Sequence, residues 1–351
     1  MSIPNRKMLL GITDHLEGPR GQPSAEIFDQ VMEQTELADR VGFEYAWFAE
    51  HHAHAHAGHL PAPLLLALHL AGRTRNIRLG TAIICLNLHH PLSVAEQCAT
   101  ADILMNGRSA FGFGSGSTPE EVEFFGLSEG DEADRHQRFA SALRMMLAAW
   151  GGSDETPASR SAKVGPLADS PHAVLPVARA DLRQRSWLAV NSAGSAAIAG
   201  ELGFNMLFSH LRTPAQYCEY AAVYRAAGGA GLLAANRPVI VAKDDATAWG
   251  RAEPAVRMLW RRFQREGRIP ADASEPAQLE DLCGHPINFI VGSPATVARQ
   301  LAELHARAPF DVANVEVRWP GLSAEAIHES IRLMAGEVRE KMRTGITTRL
   351  P

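Results

Sequence analysis

The sequence predicts an α/β protein folded as a single (β/α)₈ TIM barrel, and three observations lead there. Short apolar runs alternate with helix-like segments eight times along the 351 residues. The runs are apolar throughout rather than at every second position, as in parallel strands covered on both faces. No GxGxxG string follows the first run, where an open dinucleotide-binding sheet would carry one. A typical barrel needs about 250 residues, which leaves roughly 100 for insertions.

Met8–Thr13 is a short apolar run bounded by polar residues, hence the first strand. Ile27, Val31, Leu37 and Val41 then recur at helical spacing over Ala25–Val41, and Gly42 ends that helix. Glu44–Ala49 is the second strand, Leu60–Arg73 a helix opened by prolines, and Ile77–Cys85 the third strand. Pro91 starts the helix Leu92–Met105, at a position where its missing N–H costs nothing. Ser109–Gly114 is the fourth strand and Glu132–Trp150 a long helix. The rhythm pauses after strand four, at about 151–186, in a stretch rich in Ser, Pro, Asp and Gly. It resumes with strand Trp187–Asn191, a helix near Ser195–Leu202, strand Met206–Ser209 and helix Pro214–Ala226. Strand Pro238–Ala242 and helix Asp245–Arg265 lead to a second irregular insertion, about 266–290, after strand seven. Helix Pro294–Ala306, strand Val312–Arg318 and helix Ala324–Met342 complete one domain over residues 1–351.

Composition narrows the function. Hydrophobic residues make up 46% and charged residues 21%, ordinary for a globular protein. A net charge of -5 with no Lys/Arg block argues against nucleic-acid binding. The N-terminal apolar stretch is too short for a signal peptide, and prolines and His69 break the most apolar run, Leu60–Ala71, so no membrane span is expected. Cys85, Cys98, Cys218 and Cys283 form no CxxC pair, which reads as reduced thiols in the cytoplasm.

In such barrels chemistry gathers at the C-terminal ends of the strands. Strand two ends in Glu50-His51-His52, strand three runs into Asn87-Leu88-His89-His90, and strand four ends in Gly114-Ser115-Gly116-Ser117. Strand five ends in Asn191-Ser192-Ala193-Gly194-Ser195 and strand six in Ser209-His210. Histidines near neutral pH move protons or hold metals. HAHAH at 52–56 has the alternation of a zinc site, but it lies in Gly/Ala-rich loop sequence without acidic ligands at later strand ends. No metal is therefore expected, and His54, His56 and His59 read as pocket loop. Ser192 and Ser195 at a helix start form either an anion site or a simple N-cap, with Arg138 as a cation for the former. Gly114 and Gly116 either let a flat ring approach the backbone or make a tight turn.

Several strings taken together resemble the bacterial luciferase-like, flavin-dependent oxidoreductases. They are AEHH at 49–52, AGRTRNIRLGTAIICLNLHHPLSVAEQ at 71–97, NGRSAFGFGSG at 106–116 and EFFG at 123–126. WLAVNSAGSAAIAGELG at 187–203 and VGSPATVARQL at 291–301 are similar more weakly. The resemblance implies a barrel that binds FMN at its C-terminal rim. It implies reduced FMN taken from an NAD(P)H:flavin reductase, reaction with oxygen to a C4a-(hydro)peroxyflavin, and transfer of one oxygen atom to a small organic substrate. By the same resemblance His51 is catalytic, with His52 and Glu50 beside it. By the same resemblance Ser192, Ser195 and Arg138 hold the phosphate; Thr81, Gly114, Ser115 and Asn191 are further candidate cofactor contacts, and His90 either contacts the flavin or packs under the third helix. A homodimer or higher homo-oligomer is implied likewise. Luciferase carries a cysteine and then a phosphate-binding arginine at the end of strand four; this chain has Gly114 and Ser115. One lost charge-assisted bond weakens phosphate binding by about 1.5–3 kcal/mol.

The adduct decays if wetted, so the two insertions are expected to act as lids. Trp187, Phe208, His210 and Trp319 are expected to line an apolar pocket or to be barrel core. Three other readings stay open: a deazaflavin-dependent dehydrogenase of the same fold, a non-catalytic flavin-binding relative, and a metal-dependent barrel hydrolase.

Overall fold

A computed structural model describes residues 8–19, 21–53, 58–116, 119–127, 132–150, 175–178, 181–308 and 310–347. Nine strands occur among them: β1 (Leu9–Asp14), β2 (Tyr45–Phe48), β3 (Arg78–Cys85), β4 (Ser109–Gly114), β5 (Ser186–Val190), β6 (Asn205–Phe208), β7 (Leu233–Val241), β8 (Ile290–Gly292) and β9 (Val312–Glu316). Every pairing is parallel. β1 to β7 follow one another around the ring, and β9 sits between β7 and β1 to close it. The closed eight-stranded barrel is the expected fold.

Two details differ from the sequence reading. β8 is a ninth strand that pairs only with Val239–Val241 of β7, and its three residues fall at the end of the second insertion. β7 starts at Leu233 rather than Pro238, because Asn236 and Arg237 interrupt an apolar run that the backbone continues straight through.

The helices are α1 (Ser24–Val41), α2 (Pro63–Ala71), α3 (Pro91–Leu104), α4 (Pro119–Phe124), α5 (Glu132–Trp150), α6 (Ala193–Leu202), α7 (Pro214–Ala226), α8 (Asp245–Arg265), α9 (Leu279–Leu282), α10 (Pro294–Arg307), α11 (Ala324–Leu333) and α12 (Arg339–Thr347). Gly42 closes α1 at φ 91°, in the left-handed region that glycine reaches without strain. Ser192 with Ser195, and Thr213 with Gln216, form capping boxes that start α6 and α7. A π-helical stretch, Met334–Val338, divides the last expected helix into α11 and α12. Among the described residues no helix is long and apolar enough to cross a membrane.

The helices bury their apolar faces against the outside of the ring. Inside it lies a separate cluster of Tyr45, Trp47, Ala110, Trp187, Leu207, Ala234 and Val312. Tyr45 and Trp47 stack at 4.7 Å, and Trp187 meets both edge-on at 5.4 and 5.3 Å. These rings plug the barrel below the strands' C-terminal ends. Trp187, one of the two alternatives for that residue, is thus barrel core. A Cβ on Gly112 would run into the carbonyl oxygen of Thr81, so glycine is needed for β3 and β4 to approach there.

Trp47→Ala removes the centre of this plug. A loss of about 3–5 kcal/mol is expected, read as a lower urea midpoint at unchanged m-value.

Candidate active site

The ring opens at the C-terminal ends of its strands into a cavity of about 300 Å³. The end of β1 supplies Thr13, His15 and Glu17, and the turn after β2 supplies His51. A register shift in β3 between Thr81 and Ile84 brings Ala82 and Ile83 to the wall, with Ala189 beside them. Asn191, Ser209 and His210 follow β5 and β6, while Asn236, Asn314 and Glu316 project from β7 and β9. Phe208 and Trp319 also line it.

Glu316 organises this mouth. Its side chain is 3% exposed. Its Oε1 accepts a hydrogen bond from Asn236 Nδ2 and lies 3.5 Å from His15 Nε2 and 3.4 Å from His210 Nδ1. Burial opposes its ionisation, yet the charges and hydrogen bonds of His210 and His15 outweigh burial and hold it well below the usual carboxylate range. Burial likewise opposes the charge on His15, but the bond to Glu316 prevails, with Glu17 and Asp14 adding to it, and its pKa rises to about 9. His15 Nδ1 is in turn 3.0 Å from His51 Nε2, with the rings 5.3 Å apart and tilted by 30°. Asn314 Nδ2 donates to Thr13 Oγ1 at 2.6 Å and to Asn236 Oδ1 at 3.3 Å, tying β9 to both neighbours.

The rim is held by main-chain anchors and ion pairs. The His210 carbonyl accepts from Asn288 Nδ2 at 2.6 Å and from Arg237 Nη1 at 3.4 Å. Arg237 is buried on carbonyls and the Tyr217 hydroxyl. Arg262 bridges Glu17 and Glu266 at 2.8 Å each, and Arg268 reaches Glu266 at 2.8 Å. Glu266 and Arg268 come from the second insertion, which therefore reaches the mouth.

Strand geometry separates the residues that sequence places side by side. His51 faces the mouth. Glu50 and His52 join His89 in a different cluster: Glu50 Oε1 lies 2.8 Å from both His52 Nε2 and His89 Nε2, and Oε2 accepts from the Cys85 N–H at 3.2 Å. The bonds to Glu50 raise the pKa of His89 against the opposing effect of burial. These three side chains offer ligand atoms within 4.8 Å of one another, and the distances are those of hydrogen bonds. Phe125 of the EFFG string packs edge-on against His52 at 4.8 Å. Glu50 and His89 line a second cavity of about 480 Å³ between α2 and α3.

The expected cofactor contacts divide too. Asn191 lines the mouth, and Ser192 and Ser195 follow it as the mutual cap of α6. Thr81 is buried and bonds both Gly112 N–H and C=O. The missing Cβ atoms of Gly114 and Gly116 leave room for Ile83 and Cys85. The Ser115 carbonyl accepts from Asn87 Nδ2 at 3.0 Å, and His90 is the exposed residue before α3. Arg138 lines a third cavity of about 440 Å³ with Asn87, Asp134 and Gln137. His54, His56, Ser117 and residues 151–174 of the first insertion lie outside the described residues.

Sequence reasoning missed His15, Asn236, Asn314 and Glu316. His15 follows the first strand and needed only the rim test already applied to strands two to six. Asn314 and Glu316 alternate within an otherwise apolar strand, so they share one face and are signals of a buried polar site.

With the site in view, the comparisons with known proteins assign the class. The family model for luciferase-like monooxygenase matches residues 10–309. The chain belongs to the luciferase-like monooxygenase family. It is 38% identical over 125 residues to 4-hydroxyprotoasukamycin monooxygenase of Streptomyces nodosus subsp. asukaensis, covering 36% of this chain and 33% of that protein. It is 34% identical over 102 residues to the oxygenase component of the flavin-dependent trigonelline monooxygenase of Acinetobacter baylyi, covering 29% and 28%. An F420-dependent glucose-6-phosphate dehydrogenase of Beutenbergia cavernae is 34% identical over 138 residues, covering 38% and 41%. The match thus spans less than half the length of these curated relatives. Among solved structures, the oxygenating constituent of 3,6-diketocamphane monooxygenase of Pseudomonas putida, in complex with FMN, shares the fold at a TM-score of 0.75. It has 21% identity over 96% of this chain and 99% of that one.

Two outcomes are expected. The raised pKa of His15 contributes stability that is complete below about pH 6.5 and is lost as pH rises through about 9. The Tm of the wild type should fall more over that window than the Tm of His15→Gln; parallel curves would contradict it. Glu50→Ala leaves two imidazoles and the Cys85 N–H without their acceptor, and should cost about 3 kcal/mol in denaturant unfolding.

Proposed function

We propose that this protein is the oxygenase of a two-component flavin monooxygenase, using reduced FMN from an NAD(P)H:flavin reductase to put one oxygen atom into a small organic substrate. The observation that carries this reading is His51 at the barrel mouth, which it lines together with Ala82, Ile83 and Ala189. Ala82, Ile83 and Ala189 give that cavity apolar lining, which would suit the face of a planar ring. Ser192 and Ser195 at the start of α6 would hold the phosphate, while Arg138 on α5 lines a different cavity. Reduced flavin supplies the electrons and the oxygen-activating centre. The chain's own residues then bind and orient the substrate, and His51 serves as base or hydrogen-bond partner to it. The rim pairs of Arg262, Glu266 and Arg268 help to exclude water.

A deazaflavin reading is favoured by one observation, the F420-dependent relative. Purified protein, reduced FMN, oxygen and a substrate library test the two together. Oxygen uptake with an oxygenated product is expected, and His51→Ala should lower product formation by about 10²-fold or more with fold and flavin affinity kept. Hydride transfer from reduced F420 without oxygen uptake would replace the monooxygenase reading with the dehydrogenase one.

A further inference from the structure

The histidine that ends β2 does not stand alone in the mouth. His51 Nε2 is 3.0 Å from His15 Nδ1, and the other nitrogen of His15 faces Glu316 Oε1 at 3.5 Å. Charged groups surround His15 from several elements. Asp14 and Glu17 flank it on the β1 side, and Glu316 faces it from β9. His210 approaches the same Glu316 oxygen from the far side, Arg262 of α8 binds Glu17, and Arg318 lies 3.7 Å from Asp14. Three carboxylates thus surround His15, and the arginines are paired with the two outer ones. A charged imidazole donates from both nitrogens. Its Nδ1–H then has only a lone pair to meet on His51 Nε2, and a neutral His51 with that lone pair carries its proton on Nδ1.

We propose that Glu316 is a positioning residue: it acts through His15 to fix His51 as the neutral tautomer protonated on Nδ1. In that state His51 Nε2 is occupied as an acceptor. His51 is therefore not a base at Nε2, and a proton held on His15 leaves that ring only through His51 or Glu316. The raised pKa of His15 agrees with this arrangement. Asn236, which donates to the same Glu316 oxygen, and His210 keep the carboxylate aligned. The consequence for turnover rests on the mouth being the catalytic site; the tautomer itself does not.

The test is ¹⁵N NMR of the purified protein labelled at histidine ring nitrogens, recorded without flavin. His15→Gln and His51→Asn spectra assign the two rings. In the wild type, His15 should show two protonated nitrogens up to about pH 9, and His51 a protonated Nδ1 with an unprotonated Nε2. Glu316→Gln should lower the His15 midpoint by at least one pH unit and mix the His51 tautomers, with Glu316→Asp restoring part of both. A wild-type His51 protonated on Nε2, or a His15 that loses its charge near pH 6.5, overturns the proposal without any variant. Unchanged rings in folded Glu316→Gln also overturn it. In turnover with a competent substrate, Glu316→Gln should move the alkaline limb of kcat to lower pH with KM nearly unchanged; a change in KM alone counts against it. The expected spectra together with no oxygenation of any substrate would sink the monooxygenase reading and leave the positioning role standing.

Discussion

Everything at the mouth depends on β9 entering the ring between β1 and β7. Its register sets Val312 against Leu9 on one side and Ala234 on the other. That closure carries Glu316 and Asn314 beside the end of β1, some 300 residues distant in sequence, where Asn314 meets Thr13. Backbone hydrogen bonds all around the ring leave no open edge among the eight strands, so side-chain positions inside are set to within the pleat. The aromatic plug of Tyr45, Trp47 and Trp187 fills the lower barrel and leaves one open end for chemistry.

Two buried carboxylates in that frame meet different conditions. Glu316 is nearly inaccessible, and a lone charge there would be expensive. Two imidazoles and an amide around one oxygen offset that cost, so the carboxylate remains ionised and, in turn, keeps His15 charged. Glu50 is equally buried and also sits between two histidines, but it faces the cavity between α2 and α3. Like residues at two places in one barrel therefore serve different cavities, and only the first lies where the family's flavin chemistry is proposed.

Much of this was legible in the chain. The alternation of apolar runs and helical spacing specified the barrel, because strands buried on both faces must be apolar throughout. The strings at 49–52, 71–97 and 106–116 pointed to the luciferase-like monooxygenase family to which the chain belongs. Polar residues at strand ends located one rim, and His51, Asn191 and His210 do lie there. β8 is not legible in the sequence because three residues are too few to carry a period, and the start of β7 is hidden because Asn236 and Arg237 break the apolar pattern.

What the sequence by itself determined was the class of fold, the rim on which polar groups collect, and the candidate histidine at the end of β2. Those follow from local rules: burial on both faces, strand alternation, and helix starts and stops. What only the tertiary structure decided was which polar groups share a cavity. It parted His51 from Glu50 and His52, although they are neighbours in the chain, because successive side chains point to opposite sides of a strand's end. It joined His51 to His15 and, through it, to Glu316, because the ring brings its first and last strands together. Side-chain partners across a barrel are set by closure and register, and no local pattern encodes them.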